Sequence, residues 1–436
     1  MSQVIRNRVE IDFSVFNPFD EGWVADPFDT LDRLLTQYPV AFHTGINAWL
    51  VSGHDLTVEV LRSPKFSTNF KDWKDAPPVR PRAEWNLYDE VMSNSLLTVP
   101  PAEHQRLRRL TASAFSRRVM DQIEDRIRDS VRGIFDEIED PSLFNATPDI
   151  GIKAPIRSMA RMLGVPPAAD NVFAHHLQQL RLAWDMVRFA NPMHAANREQ
   201  YTQHISVALP GLEYLLDMIR TRRAQADPGN DFIGTLVSTT IDGESLNDLE
   251  ILSLIGALIV AARTAVDVHT GALYALLTHP DQRQLLRDRP DLMESAIHEI
   301  VRWSAAVKFN AIPRFPLADM EFGGQLMRKG EMVMTLLSAS WQDPAKWPEP
   351  RKFDITRNDA GNIIFGAGPH LCIGLNLVKV QAKLMIEEFE RRFGDTARLV
   401  GDIEYDPAHF SARRMTRLMI ATGAPAGQPL EPVHPQ

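Results

Sequence analysis

Cys372 is the only cysteine among 436 residues. That count excludes an internal disulfide and a multi-cysteine zinc site, and leaves the thiol as inert packing, a nucleophile or a metal ligand. It stands in the run Phe365-Gly366-Ala367-Gly368-Pro369-His370-Leu371-Cys372-Ile373-Gly374, directly before a stretch with helical periodicity from Leu375 to Phe393. Glycines let a backbone turn tightly and approach a flat surface without a Cβ clash. Backbone N–H groups at a helix start stabilise a thiolate and lower its pKa. A lone cysteine is more often a small buried hydrophobe, so its context has to decide between the roles.

This ten-residue pattern resembles the haem-ligating loop of cytochromes P-450, where phenylalanine, glycines, a basic residue, cysteine and a final glycine keep the same relative positions. The resemblance implies haem b (iron protoporphyrin IX) with Cys372 on the iron, Phe365 shielding the sulfur, Gly366 in the turn and His370 donating to a propionate. An axial thiolate pushes electron density onto iron and favours O–O cleavage. Further signatures occur upstream in the family's order. Glu299-Ile300-Val301-Arg302 matches its Glu-x-x-Arg helix, and Phe353 to Arg357 matches the segment whose arginine completes that ion-pair cluster, a scaffold role. Pro100 to Arg109 resembles the helix whose histidine and arginine, four residues apart and so on one face, reach the propionates; here these are His104 and Arg108. Arg314, five residues before Asp319, is implied as another propionate partner because guanidinium matches a carboxylate bidentately.

The helix expected from Asn247 to about Thr278 opens with a capping signal, Asn247 followed by Glu250. At 1.5 Å per residue it would run about 45 Å, and the nearly all-apolar Leu252 to Ala262 must be buried on every side. In the family this helix carries an acid and then a threonine above the iron. Counting back from His279-Pro280 places Arg263 at the acid and Thr264 at the alcohol, so the acid is missing. Cleaving dioxygen needs two protons, normally relayed through alcohol, water and acid, and arginine cannot act as that acid. Three readings follow for Thr264 and Arg263 as catalytic residues. Arg263 points away and another route serves ordinary hydroxylation; or Arg263 holds a substrate carboxylate in a peroxide-dependent enzyme; or the chemistry is radical coupling, dehydration or isomerisation. A haem-binding protein without turnover is the rival from another class.

By position in the resembling fold, Leu96, Leu97, Trp184, Val260, Phe309 and Phe410 are candidate substrate contacts and favour a small, mainly apolar organic molecule. Arg106, Arg109, Arg117, Arg118 and Lys379 lie towards the cysteine side as a basic patch suited to an acidic ferredoxin or flavodoxin, served by its own reductase. A formal charge of -9 and a pI of about 5.8 argue against nucleic acid as a partner. The N-terminus lacks a signal-peptide core, and the apolar run from Ile251 to Ala262 is too short to cross a bilayer, so a cytoplasmic protein without a membrane partner is expected.

The expected fold is mainly α with a smaller β-rich region (α+β), the triangular helical prism that encloses a haem in the resembling family. Val40 to Phe42 and Ala48 to Val51 should form a hairpin across Thr44 to Asn47. A second β-rich region should run from Asp319 to Ser340 with breaks at Gly323-Gly324 and Lys329-Gly330. One domain over residues 1–436 is expected, with a core of about 26–422 and a Pro-rich tail over 423–436.

Overall fold

The central helix is where local sequence chemistry is clearest. It runs Asp248–Thr278. The Asn247 side chain accepts from the Glu250 N–H at 3.0 Å while the Glu250 carboxylate accepts from the Asn247 N–H at 2.8 Å, closing the reciprocal cap at its start. By length and composition this helix could cross a membrane, and among the described residues no other could, yet most of it is buried inside the protein. Helices Lys153–Met162, Arg198–Ala224, Met293–Trp303 and Leu375–Phe393 pack around it. Leu252, Ile255 and Ile259 are removed from solvent there, each contributing about 1.5–3 kcal/mol of apolar burial. The computed structural model that gives this picture describes residues 8–423 apart from 77, 80, 181–197, 311, 359–360 and 408.

The β-rich part forms against this helical body. Strands Val40–His43 and Ala48–Val51 pair antiparallel, with Asn47 in the left-handed region at φ 51° closing the turn. Glu10–Ile11 joins Val40–His43 in parallel on one side, and Met332–Thr335 joins Ala48–Val51 in parallel on the other. Met332–Thr335 arrives by way of a hairpin, Met320–Phe322 with Gln325–Met327, which turns at Gly323 and Gly324. The helix that carries His104 and Arg108 is α-helical over Pro101–Thr111 and then tightens into a 3-10 turn, Ala112–Phe115. The tail over 424–436 lies outside the described residues.

One buried ionic cluster ties the helical body to the cysteine side. Arg302 is fully buried, and its Nε and Nη2 donate to the Glu299 carboxylate at 2.6 and 2.8 Å. Its remaining N–H groups donate to the carbonyls of Trp341, Pro350 and Lys352. Arg357 Nε adds a 3.3 Å contact and the Asp354 N–H a 3.0 Å bond to Glu299 Oε1. Glu299 thus meets two guanidinium groups and a backbone donor, which offsets the desolvation of its charge. This is the geometry implied for Glu299, Arg302 and Arg357 from the sequence.

Candidate active site

Cys372 lies at the end of a loop that its own backbone folds tightly, its N–H donating to the Phe365 carbonyl at 3.0 Å. Gly366 and Gly368 take φ of +80° and +70°, a region that costs other L-residues strain. At Gly368 a Cβ would also stand 2.6 Å from the Leu61 carbonyl oxygen, so this position admits no side chain. The loop then feeds helix Leu375–Phe393. Burial pushes the Cys372 thiol up, while the N–H groups of Gly374 and Leu375 and the Arg108 guanidinium favour its thiolate. A cation bound at sulfur would add to that second set and deprotonate the thiol.

Four basic groups meet beside this loop. The rings of His104 and His370 lie 4.2 Å apart between centroids. The His370 ring is driven down to about 3 by burial first, then by His104, and then by Arg314 and Arg108. Arg314 is buried, and desolvation pulls it to about 10, with no carboxylate among the described residues opposing it; its Nη1 donates to the Ile312 carbonyl at 2.7 Å. Burial likewise lowers Arg108, against which only the Cys372 thiolate acts. One buried and one half-buried guanidinium group, with no carboxylate partner among the described residues, are costly unless an anion joins them. The propionates of a haem supply that anion, so this donor set fits the group. Thr68, which was not foreseen, also reaches His370 Nε2 at 3.4 Å through its hydroxyl.

On the opposite side stands the central helix. Its middle is buried almost all round, but Ala261 and Thr264 are exposed at i,i+3 spacing, so one narrow face borders open space. Arg263 is not on that face. It is buried, and both it and Arg414 act electrostatically on the ring of His409, which lies between strands Glu404–Tyr405 and Met415–Arg417 of the C-terminal hairpin.

Asp267, one turn further on, is held by Arg414 through Nε and Nη2 bonds of 3.0 Å each, and Arg414 Nη2 also donates to the Arg263 carbonyl at 2.9 Å. These groups were not singled out from the sequence. Asp267 could have been noticed at i+3 from Thr264, but nothing local marks Arg414, 147 positions away.

The candidate substrate contacts divide. Leu96 and Val260 are buried in the main core, and Leu97, next to Leu96, is half-buried. Phe309 and Phe410 touch each other at 6.1 Å but belong to a second cluster with Phe16 and Trp23 near the sheet. Trp184 lies outside the described residues. On the cysteine side, Arg106 pairs with Glu103 and Glu250, Arg109 with Asp242 and Glu244, and Lys379 with Glu294. Arg118 is exposed, and the side chain of Arg117 is not among those described.

Comparison with known proteins agrees with this geometry. The family model described as Cytochrome P450 matches residues 48–394. Cytochrome P450 monooxygenase PikC of Streptomyces venezuelae is 30% identical over 390 residues, covering 86% of each chain. Vitamin D(3) 25-hydroxylase of Pseudonocardia autotrophica is 28% identical over 372 residues, covering 85% of each. Among solved structures, cytochrome P450 PksS of the Bacillus subtilis 168 bacillaene polyketide synthase superposes with a TM-score of 0.81 at 22% identity, over 94% of this chain and all of that one. Epothilone B-bound cytochrome P450epoK gives 0.83 at 24%, with coverage of 94% and 100%. The cysteine loop, the basic groups beside it and these likenesses converge: the chain belongs to the cytochrome P450 family of monooxygenases.

Proposed function

We propose that this chain holds haem b through Cys372 and inserts one oxygen atom of dioxygen into a mainly apolar organic molecule, taking electrons from a separate ferredoxin or flavodoxin with its reductase. The observation that carries the reading is the convergence of Cys372 with His104, Arg108, Arg314 and His370, of which Arg314 is buried and Arg108 half-buried, neither with a carboxylate partner among the described residues. The bound haem would supply dioxygen activation. The residues of the chain have narrower tasks. Arg108, Arg314 and the two imidazoles hold the propionates, Phe365 and the Gly374 and Leu375 N–H groups tune the sulfur, and Thr264 presents a hydroxyl on the accessible face of the central helix.

Leu96 and Val260 would contribute apolar wall. A relative named for 25-hydroxylation of vitamin D(3) supports a preformed organic substrate. Arg263, turned to the C-terminal hairpin, favours ordinary monooxygenation over capture of a substrate carboxylate. The family's usual need for a reductant supports an electron donor. The ion pairs of Arg106, Arg109 and Lys379 leave that donor a mixed rather than a uniformly basic face. We place the protein in the cytoplasm as a single domain.

The test is spectroscopic and then chemical. The reduced protein with carbon monoxide should show the Soret band near 450 nm typical of a thiolate ligand, and Cys372→Ala should abolish it. With a surrogate ferredoxin and reductase, a substrate that shifts the spin state should gain one oxygen atom traceable to labelled dioxygen. A band that survives Cys372→Ala overturns the ligand assignment; label arriving only from water overturns the reaction.

A further inference from the structure

One face of helix Met293–Trp303 reaches the polypeptide on both sides of Cys372. His298 is buried on that helix, and its ring meets the Phe365 ring edge-on, with centroids 5.7 Å apart and planes inclined at 61°. Glu294, one turn earlier and so on the same face, pairs with Lys379 of helix Leu375–Phe393. Phe365 and Lys379 stand seven residues before and seven residues after Cys372. The Phe365 carbonyl also accepts the Cys372 N–H at 3.0 Å, so the residue that His298 touches is the one that bonds the cysteine backbone. We infer that His298 is a positioning residue for Cys372, acting through Phe365, and that the Glu294–His298 face of the helix clamps the chain on either side of the thiol.

A clamp needs a fixed body behind it. Glu299, next to His298, is held by the Arg302 and Arg357 guanidinium groups and the Asp354 N–H. Arg302 directs its other N–H groups to three backbone carbonyls, which anchors the helix from a second direction. The loop has less to hold it. Between Phe365 and Cys372 it contains two glycines in the left-handed region and a short 3-10 turn, Gly368–His370, so its shape depends on what fixes its ends. Phe365 is half-buried, packed on the main core on one side. An edge-on ring pair adds directional attraction to plain burial, because the positive edge of one ring meets the negative face of the other. Truncating His298 leaves room into which the Phe365 ring moves, and the carbonyl that takes the Cys372 N–H moves with it.

The inference rests on the proposed ligation of haem iron by Cys372. If the reduced, unmutated protein with carbon monoxide lacks the 450 nm band, that ligation falls and the clamp falls with it. If the band is present, its persistence tests the clamp alone. The rate at which the band is lost is timed in a fixed, mild concentration of urea for the haem-loaded protein carrying His298→Ala, Phe365→Leu or both. His298→Ala should hasten the loss about two- to tenfold, the range that an aromatic pair supports. In the Phe365→Leu background the same change should hasten it by under about twofold, because the ring through which it acts is gone.

Equal acceleration in both backgrounds, or none in either, overturns the clamp and leaves His298 a residue of the core. Should His298→Ala fail to take up haem, His298→Leu, which fills the space without an aromatic edge, decides the matter by the same comparison.

Discussion

Position 263 shows how one residue separates chemistries that share a fold. A guanidinium facing the substrate would select carboxylates by a charge-assisted bond; one turned aside leaves selection to apolar walls. Arg263 is buried, acts electrostatically on the His409 ring and lies about 100° around the helix from Thr264. Spin-shift titrations should therefore find methyl laurate bound at least as tightly as lauric acid, and Arg263→Ala should leave that order unchanged. A preference for the acid that disappears in Arg263→Ala would restore the carboxylate reading. Replacing Arg263 by aspartate carries a separate penalty, because it sets a carboxylate one turn before Asp267 on the same face, where like charges repel. That variant should lose stability in denaturant unfolding relative to Arg263→Ala, even if it adds an acid at the family's usual position.

At the scale of elements, the ion-pair cluster on Met293–Trp303 makes a firm demand. Glu299→Gln leaves the fully buried Arg302 without its countercharge, and breaking such a pair costs about 3–5 kcal/mol. Unfolding in denaturant should show that loss together with reduced haem retention. Arg357→Ala, which removes a partner at 3.3 Å, should cost distinctly less.

The same elements show what a sequence can disclose. The Asn247–Glu250 cap, the glycine turns at Gly323, Gly324 and Gly368, and the His104–Arg108 face were legible because each is decided within a few residues. The Glu299–Arg357 contact was legible through the spacing shared with a family. The Asp267–Arg414 pair was not, because it depends on a hairpin folding back across the molecule. Nor was Lys308, a lysine buried completely with its Nζ on the carbonyls of Trp23 and Val24. The basic patch on the cysteine side was legible as charge alone; apart from Glu103, the acids that pair with Arg106 and Arg109 come from distant segments.

For the whole molecule, interior histidines set the response to acid. His269 is completely buried in the central helix, neither ring nitrogen has a partner among the described residues, and burial drives it down to about 4. A base whose folded pKa is depressed favours the fold while it is neutral. Its contribution is therefore whole above the unfolded value near 6.5 and is lost as pH falls towards 4, because the unfolded chain takes up the proton first. The full shift corresponds to roughly 3 kcal/mol, of which about 2 kcal/mol is lost by pH 5. His269→Leu removes this dependence and an unsatisfied polar group together. The variant should thus be at least as stable as the unmutated protein at pH 7, and its advantage should widen by about 2 kcal/mol at pH 5, measured by denaturant unfolding of the haem-loaded forms. A constant difference between the two pH values would mean that His269 finds a hydrogen-bond partner in the folded protein and is not held neutral by burial.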